Sequence, residues 1–421
     1  MRAGRGGSAV AGPRVALRNE VFGGPDRTRH RVRVMPYAPV VPDPIPAPPP
    51  ARSKTHLARV LVAGGGTGGH LFPALAVAER LAAGGARVHF VGTERGIEAR
   101  AVPDAGFDLD CLTVRGIKGR GLLGFAGGVA RLPVAFFESV AVLRRFRPEV
   151  VLGVGGYASG PVVATAALLR IPTVVLEQNS VPGITNRILG RFVDRVCVAY
   201  PPGRFFPPAK VVRTGNPIRA AIVQRIRSAV EQSVSRRAGG PCLLVLGGSQ
   251  GARPINDAMM RSAEALLRRV PGLRIVHQTG RRDEQRVRRS YGALAGPGGP
   301  IEVVAFIDDM ASAYARADLV LSRAGATTLA ELAVAGRPAI LVPFPQATDD
   351  HQTKNAQAFV DAGGALLVPQ AELSDPSWVG HVERLAVNPS RRRAMAEAMR
   401  SLAKPDAARA LVRVLEQAMR I

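Results

Sequence analysis

Twice in this chain an apolar run of five residues gives way at once to a glycine-rich loop, and the two copies lie about one domain apart. The first is Arg59-Val60-Leu61-Val62-Ala63 followed by Gly64-Gly65-Gly66-Thr67-Gly68-Gly69-His70. The second is Cys242-Leu243-Leu244-Val245-Leu246 followed by Gly247-Gly248-Ser249-Gln250-Gly251-Ala252. A short, continuous apolar run suits a strand buried on both faces, as in a parallel sheet. A glycine loop after such a strand lets backbone N–H groups approach an anion where the next helix starts. Two copies predict two similar α/β domains with a ligand cleft between them.

The rest of the chain repeats that layout. Strands are predicted at 59–63, 87–91, 150–152, 173–176 and 193–198, with helices near 71–84 and 160–169. Helices between successive strands imply a parallel, doubly wound sheet. Thr214-Gly215-Asn216-Pro217 supplies turn chemistry that closes this half. Residues 218–240 read as a charged helix, and strands follow at 242–246, 273–277, 301–305, 318–321 and 339–342. Residues 391–420 read as amphipathic helix. The expected domains are 57–217 and 218–421, with the terminal helix packing back on the first. At 421 residues the chain can bury two full cores.

Residues 1–56 differ in composition. They mix Gly, Arg and Pro, ending in a proline-rich run over 42–50, and cannot bury a core, which predicts a disordered or extended tail. The tail carries +7 of the net +25, leaving +18 on the body. Such a charge attracts phosphates, acidic lipid or nucleic acid without choosing among them. A nucleic-acid binder is disfavoured, because one Trp and five Tyr offer little base stacking and no recognised motif is present. Cys111, Cys197 and Cys242 have neither metal nor disulfide spacing and read as buried thiols in a reducing compartment. No run qualifies as a membrane span: Leu122 to Phe137 is interrupted by Arg131 and Pro133. The N-terminus lacks the apolar core of a secretory signal.

Gly64, Gly66 and Gly69 match the G-x-G-x-x-G dinucleotide signature, but the acidic residue nearest the end of the next strand, Glu94, lies beyond Gly92-Thr93. A nicotinamide-dependent oxidoreductase would also leave the second glycine loop without a role. His70 would project from the loop or the first helical turn toward the cleft, where it could donate to a phosphate or take a proton. In the second half, strand 318–321 runs into Ser322-Arg323-Ala324-Gly325-Ala326-Thr327-Thr328-Leu329-Ala330-Glu331. Small and hydroxyl residues at a helix start suit a diphosphate. Glu331, about a turn in, can accept hydrogen bonds from ribose hydroxyls. Taken alone, this segment fits an ordinary helix start equally well. The loop Pro343 to Gln352, with Asn355 after it, is dense in hydrogen-bonding groups.

These motifs together resemble the MurG family of glycosyltransferases, within glycosyltransferase family 28. The resemblance rests on GGGTGGH (Gly64–His70), GVGGYASGP (Gly153–Pro161), Glu177-Gln178-Asn179, GNPIR (Gly215–Arg219), GGSQGA (Gly247–Ala252), FIDDM (Phe306–Met310), Gly325–Glu331 and DDHQ (Asp349–Gln352). It runs from about Val60 to the C-terminus. It implies the GT-B architecture: two doubly wound Rossmann-like α/β domains facing a central cleft. The implied reaction moves N-acetylglucosamine from UDP-GlcNAc to lipid I, with inversion, forming lipid II in peptidoglycan synthesis. Carried over, Thr67, Gly68 and Gly69 face the cleft and Asn179 contacts the sugar. Arg219 and Ser249 lie on the nucleotide side, and Ile307 at the uracil. Ala326, Thr327, Thr328, Leu329, Ala330 and Glu331 hold diphosphate and ribose, and Gln352 the GlcNAc hydroxyls. Leu176 stands where some members have histidine, and Ala324 where serine is common. Another GT-B UDP-sugar enzyme, or a UDP-GlcNAc epimerase, is the competing reading, against which GGYASGP and GNPIR argue.

No cofactor and no metal are expected. Backbone amides at the helix start, with Arg219, would stabilise charge on the UDP leaving group. His70 is the first candidate for general base and Glu177 the second. The segment 115–147 mixes Leu122, Leu123, Phe125, Leu132, Val134, Phe136 and Phe137 with Arg115, Lys118, Arg120, Arg131, Arg144, Arg145 and Arg147. That mixture suits interfacial binding to anionic lipid. A peripheral place on the cytoplasmic face of the bacterial inner membrane follows, with contacts to other cell-wall synthesis and division proteins, and no nucleic-acid partner.

Overall fold

The computed structural model describes residues 55–113, 132–201, 203–234, 239–248 and 250–420, all within one compact unit. Thirteen strands among these residues form two all-parallel sheets. The first holds β1 (Arg59–Ala63), β2 (Arg87–Gly92), β3 (Asp108–Cys111), β4 (Val150–Gly153), β5 (Thr173–Glu177), β6 (Arg195–Val198) and β7 (Val211–Arg213). Their order is β3-β2-β1-β4-β5-β6-β7. The second holds β8 (Cys242–Leu246), β9 (Arg274–Gln278), β10 (Ile301–Val304), β11 (Leu319–Ser322), β12 (Ala339–Leu341) and β13 (Ala365–Leu367), in the order β10-β9-β8-β11-β12-β13. Each sheet reverses its winding beside its first strand, between β1 and β4 and between β8 and β11. Such a switch opens a crevice at the C-terminal strand ends, where both glycine loops begin.

Parallel strands covered by helices bury both faces, and alternate residues of one strand enter opposite cores. Val60 and Val62 pack with Leu71, Leu75 and Val77 of the helix Gly68–Ala83. Leu61 and Ala63 face the other way, toward Leu143, Val162, Val163 and Leu189. The second sheet repeats this: Leu243 and Val245 join Ile255, Met259, Leu266 and Trp378, while Leu244 and Leu246 join Ile226, Tyr314, Leu329 and Phe359.

Residues 391–420 are two helices, Pro389–Ser401 and Ala407–Ala418, and not one. The break carries Pro405, whose missing N–H and ring geometry oppose helix continuation. Past it, Leu411, Val412 and Leu415 pack into the core of the first sheet, and Thr55 Oγ1 donates to Glu416 Oε1 at 2.7 Å. The return passes the other crossing, because a Cβ on Gly215 would lie 2.4 Å from Lys404 Cβ. Cys111 is exposed on the edge strand β3, so only Cys197 and Cys242 are the buried thiols expected. Among the described residues no helix is long and apolar enough to cross a membrane. Residues 1–54 of the proline-rich tail lie outside the described residues, as do Ser249 and 114–131, which include Arg115, Lys118, Arg120, Leu122, Leu123, Phe125 and Arg131.

Candidate active site

The first glycine loop is shaped by close approach. Gly64 has φ +136°, and a Cβ there would lie 2.2 Å from the Gly155 carbonyl oxygen, so only glycine fits. The Gly64 N–H donates to Val91 O at 2.9 Å and the Gly65 N–H to Gly155 O at 3.2 Å. The Gly66 N–H donates to Glu98 Oε2 at 2.7 Å. Glu98 is 1 % exposed, and its other oxygen accepts from Thr93 N at 3.0 Å and Thr93 Oγ1 at 2.8 Å. The loop's own amides therefore turn inward. The N–H groups left over are those at the start of the helix, at Thr67, Gly68 and Gly69, where intrahelical partners are missing in any helix and the chemistry suits an anion.

His70 stands in the first turn of that helix, half-buried, its Nδ1 3.2 Å from Thr67 Oγ1. Its ring edge lies over Gly155, where a Cβ would meet Nε2 at 3.1 Å. Burial lowers its pKa below the ordinary histidine value, and a backbone hydrogen bond to Gly65 opposes the shift. The imidazole is neutral at pH 7 and able to take a proton. Glu177 ends β5 at 2 % exposure. Its Oε1 accepts from Asn179 N at 2.9 Å and Nδ2 at 3.4 Å, and its Oε2 from Asn186 Nδ2 at 2.9 Å and Gly183 N at 3.3 Å. Burial raises its pKa and these four donors pull it back. Both oxygens are committed to their own loop, so Glu177 organises the segment that carries Asn179.

In the second half, Gln278 Oε1 accepts from Gly247 N at 3.1 Å, while its Nε2 donates to Gly248 O and Ala305 O. Gly251, at φ +76°, touches the next loop, since a Cβ would lie 2.1 Å from Thr279 O. Ile307 is half-buried beside the core that holds Tyr314 and Leu329. The helix Ala326–Ala335 starts after an extended Gly325 with no side-chain cap. The N–H groups of its first turn, through Ala326, Thr327 and Thr328, lack intrahelical partners, which is the chemistry that suits an anion. Thr327 Oγ1, Arg219 Nε and both amide atoms of Asn216 are buried without a protein hydrogen-bond partner. Arg219 also pairs with Glu79 of the first half. Leu329 is core and Ala330 half-buried, so what each offers the cleft is backbone.

Glu331 Oε2 accepts from Tyr314 Oη at 2.9 Å. Burial pushes its pKa up to about 7, against that hydrogen bond. Gln352 Oε1 accepts from Ala324 N at 3.3 Å and Phe344 N at 3.0 Å, tying two loops together.

Residues 60–198 match the glycosyltransferase family 28 N-terminal domain, and residues 242–411 the family's C-terminal domain. The chain belongs to glycosyltransferase family 28. A Myxococcus xanthus relative, named UDP-N-acetylglucosamine--N-acetylmuramyl-(pentapeptide) pyrophosphoryl-undecaprenol N-acetylglucosamine transferase, is 49 % identical over 85 % of this chain and 92 % of its own length. A relative of the same name from Anaeromyxobacter dehalogenans is 46 % identical over 86 % and 93 %. The crystal structure of Acinetobacter baumannii MurG superposes with a TM-score of 0.72 at 33 % identity, covering 86 % of this chain and 99 % of that one. A UDP-GlcNAc 2-epimerase from Neisseria meningitidis shares the fold at 14 % identity and a TM-score of 0.59.

In this family 28 chain the two sheets form the GT-B pair, and the expected site residues that are described gather at the C-terminal strand ends. Two residues that hold the site, Glu98 and Arg323, were not singled out for it. Glu98 braces the first loop, and no spacing rule marks it. Arg323 donates to Val342 O at 3.1 Å, Pro343 O at 3.0 Å and Gln370 Oε1 at 2.6 Å, and lies over the Phe344 ring. Burial lowers its pKa to about 10, which leaves it charged at pH 7. Asn355, named in the sequence with the polar loop before it, bonds to both halves.

Proposed function

We propose that this chain transfers N-acetylglucosamine from UDP-GlcNAc to lipid I, the undecaprenyl-diphosphate-linked muramyl pentapeptide, giving lipid II. The observation that carries this is near-full-length identity of 45–49 % to relatives bearing that one activity name, over a site whose parts suit it. The donor diphosphate sits at the start of the Ala326–Ala335 helix, where N–H groups, the Thr327 hydroxyl and Arg219 offer donors. Glu331 accepts from the ribose, Ile307 lines the nucleotide, and Asn179 with Gln352 hold the sugar. The acceptor diphosphate lies at Thr67, Gly68 and Gly69.

Chemistry follows from that placement. The acceptor hydroxyl gives its proton to His70 while its oxygen attacks the anomeric carbon. The bond from that carbon to the diphosphate breaks with inversion, and UDP leaves with the electron pair. The helix N-terminus and Arg219 stabilise that charge. Glu177 acts through its loop by fixing Asn179. The test is transfer of labelled GlcNAc to lipid I by the full chain. Labelled lipid II is the expected product. Conversion of UDP-GlcNAc to its 2-epimer without transfer would overturn the reading.

The membrane face belongs to the same reading. The helix Leu132–Phe146 packs against Ser159–Leu168, which packs against Ile184–Leu189. Val134, Phe136, Phe137, Leu168, Leu169, Ile184, Ile188 and Phe192 are exposed on or beside these helices. Arg144, Arg170 and Arg191 stand among them. Exposed apolar groups with basic neighbours bind anionic lipid peripherally. The cytoplasmic leaflet, where the acceptor's head group is reached, is the surface assigned.

A further inference from the structure

Glu98 opens the short helix Glu98–Asp104 after β2, and its side chain turns back into the first glycine loop instead of out to water. Room for it comes from three glycines in three places. A Cβ on Gly65 would lie 2.5 Å from Glu98 Cδ, and one on Gly92 2.5 Å from Glu98 Cγ; one on Gly96 would overlap the carboxylate outright. At 1 % exposure the carboxylate is withdrawn from solvent, and its three partners, Gly66 N, Thr93 N and Thr93 Oγ1, all donate. Three donors are what a carboxylate can take and what a carboxamide, with one accepting oxygen, can take only in part.

The bond to Gly66 reaches His70 through one peptide group. Gly66 N and the Gly65 carbonyl belong to the same planar unit. The His70 ring bonds to the backbone of Gly65, and since that bond raises the histidine pKa its acceptor is the carbonyl. Glu98 therefore pulls on the N–H of a peptide whose C=O faces the imidazole, and hydrogen bonds in series strengthen one another. Thr67, which follows Gly66, adds its Oγ1 at 3.2 Å from His70 Nδ1. Two titratable groups act on the ring across space: Glu98, which raises its pKa, and His351 of the second half, which lowers it. Cys111, at the end of β3, feels Glu98 together with Glu94 and Asp110.

We propose that Glu98 is a positioning residue for the transfer step: through the Gly65–Gly66 peptide it fixes the first glycine loop and, with it, the place of the His70 ring. The role of His70 as base rests on the transferase reading; the clasp of carboxylate, peptide and ring does not. Nothing in the reaction passes through Glu98, since its side chain is closed to solvent and spent on protein groups.

The test uses the full chain and the variants Glu98→Gln, Glu98→Asp and His70→Ala. Glu98→Gln keeps the shape and removes the charge. Glu98→Asp keeps the charge but falls one methylene short of Gly66. For Glu98→Gln, kcat for transfer to lipid I is expected to fall about tenfold or more from misplacement. UDP affinity by calorimetry should stay within about twofold, because the proposed UDP contacts lie in the second half. The His70 ring is followed by NMR in chain made with isotope-labelled histidine, its signal assigned against His70→Ala. In Glu98→Gln it should titrate at lower pH than in wild type, since a negative charge that favours the imidazolium is gone. The acid limb of kcat should move down with it. Glu98→Asp should return the titration toward wild type while kcat stays low. Wild-type turnover in Glu98→Gln, or a His70 titration that does not move, would overturn the proposal. So would kcat, UDP affinity and melting temperature falling in step in both Glu98 variants, which marks a loss of fold and not of position. If His70→Ala turns over normally, the base reading fails while the His70 titration in the Glu98 variants still judges the clasp.

Discussion

At the scale of single residues, burial decides which ionisable groups can do what. The place of Glu331 one turn into a helix was legible in the sequence; that Tyr314 shares its carboxylate was not, because Tyr314 arrives from another element. Its pKa near 7 makes it half protonated at neutral pH in the free protein. UDP affinity should therefore rise from pH 6 to 8 in wild type and stay flat in Glu331→Gln, whose binding should be weaker by roughly 1.5–3 kcal/mol. Isothermal calorimetry at each pH reads both. Stability carries the opposite sign. A carboxyl whose folded pKa lies above its unfolded value, about 7 against 4.5, costs stability as pH rises through that window. Glu331→Gln should melt higher than wild type above pH 7, by about 1–3 kcal/mol, with the gap closing toward pH 4.5. For His70→Ala the expected loss in kcat is about 10²–10⁴-fold with UDP affinity kept. Because burial lowers the His70 pKa, the acid limb of wild-type kcat should lie below pH 6.5. Near-normal turnover in the variant across pH would remove His70 from the mechanism.

At the scale of elements, the strands with unbroken apolar runs were legible, and β1 and β8 begin and end where their sequences say. The short or polar strands β3, β7 and β13 were not, since Asp-Leu-Asp-Cys has neither an apolar run nor a turn signal that marks an edge strand. The second glycine loop shows what supports an element from below. Asn256 Nδ2 donates to Thr279 O at 2.9 Å and Asp283 Oδ2 at 2.8 Å, and its Oδ1 lies 3.1 Å from His277 Nε2. His277 Nδ1 lies 2.8 Å from Tyr291 Oη. Burial pushes the His277 pKa down to about 3, with Asp283 opposing. The folded state keeps it neutral while the unfolded chain protonates near pH 6.5, so its contribution is complete above pH 6.5 and is lost as pH falls toward 3. A His277→Gln variant, which can still bond at one end, should show a shallower loss of melting temperature between pH 6.5 and 4 than wild type. An equal acid slope in both would place the sensitivity elsewhere.

At the scale of the whole molecule, the body is built from Leu57 onward, and the family match begins at Val60. Removing residues 1–54 should leave transfer to lipid I within about twofold, as expected for a segment whose Gly-, Arg- and Pro-rich composition is unsuited to building a core. The opposite result, a folded but inactive truncation, would give the tail a role. For the proposed membrane face, Ile188→Asp with Phe192→Asp should lower co-sedimentation with anionic liposomes by about tenfold or more, since each loses up to about 1.5–3 kcal/mol of apolar transfer at full burial. UDP binding should not change. Equal sedimentation with neutral and anionic vesicles would show that charge plays no part. The sequence by itself determined the class, the doubling and the loops, because buried parallel strands need unbroken apolar runs and a tight strand-to-helix turn needs glycine, and both patterns are written locally. Only the tertiary structure decided that Glu98 occupies a loop amide, that Glu177 is spent on its own loop, and that Asn355 joins the halves. Those outcomes depend on which elements meet in space. A buried polar group takes whatever partner the packing brings, and residues 175 positions apart, such as Ser180 and Asn355, leave no spacing in the sequence to read.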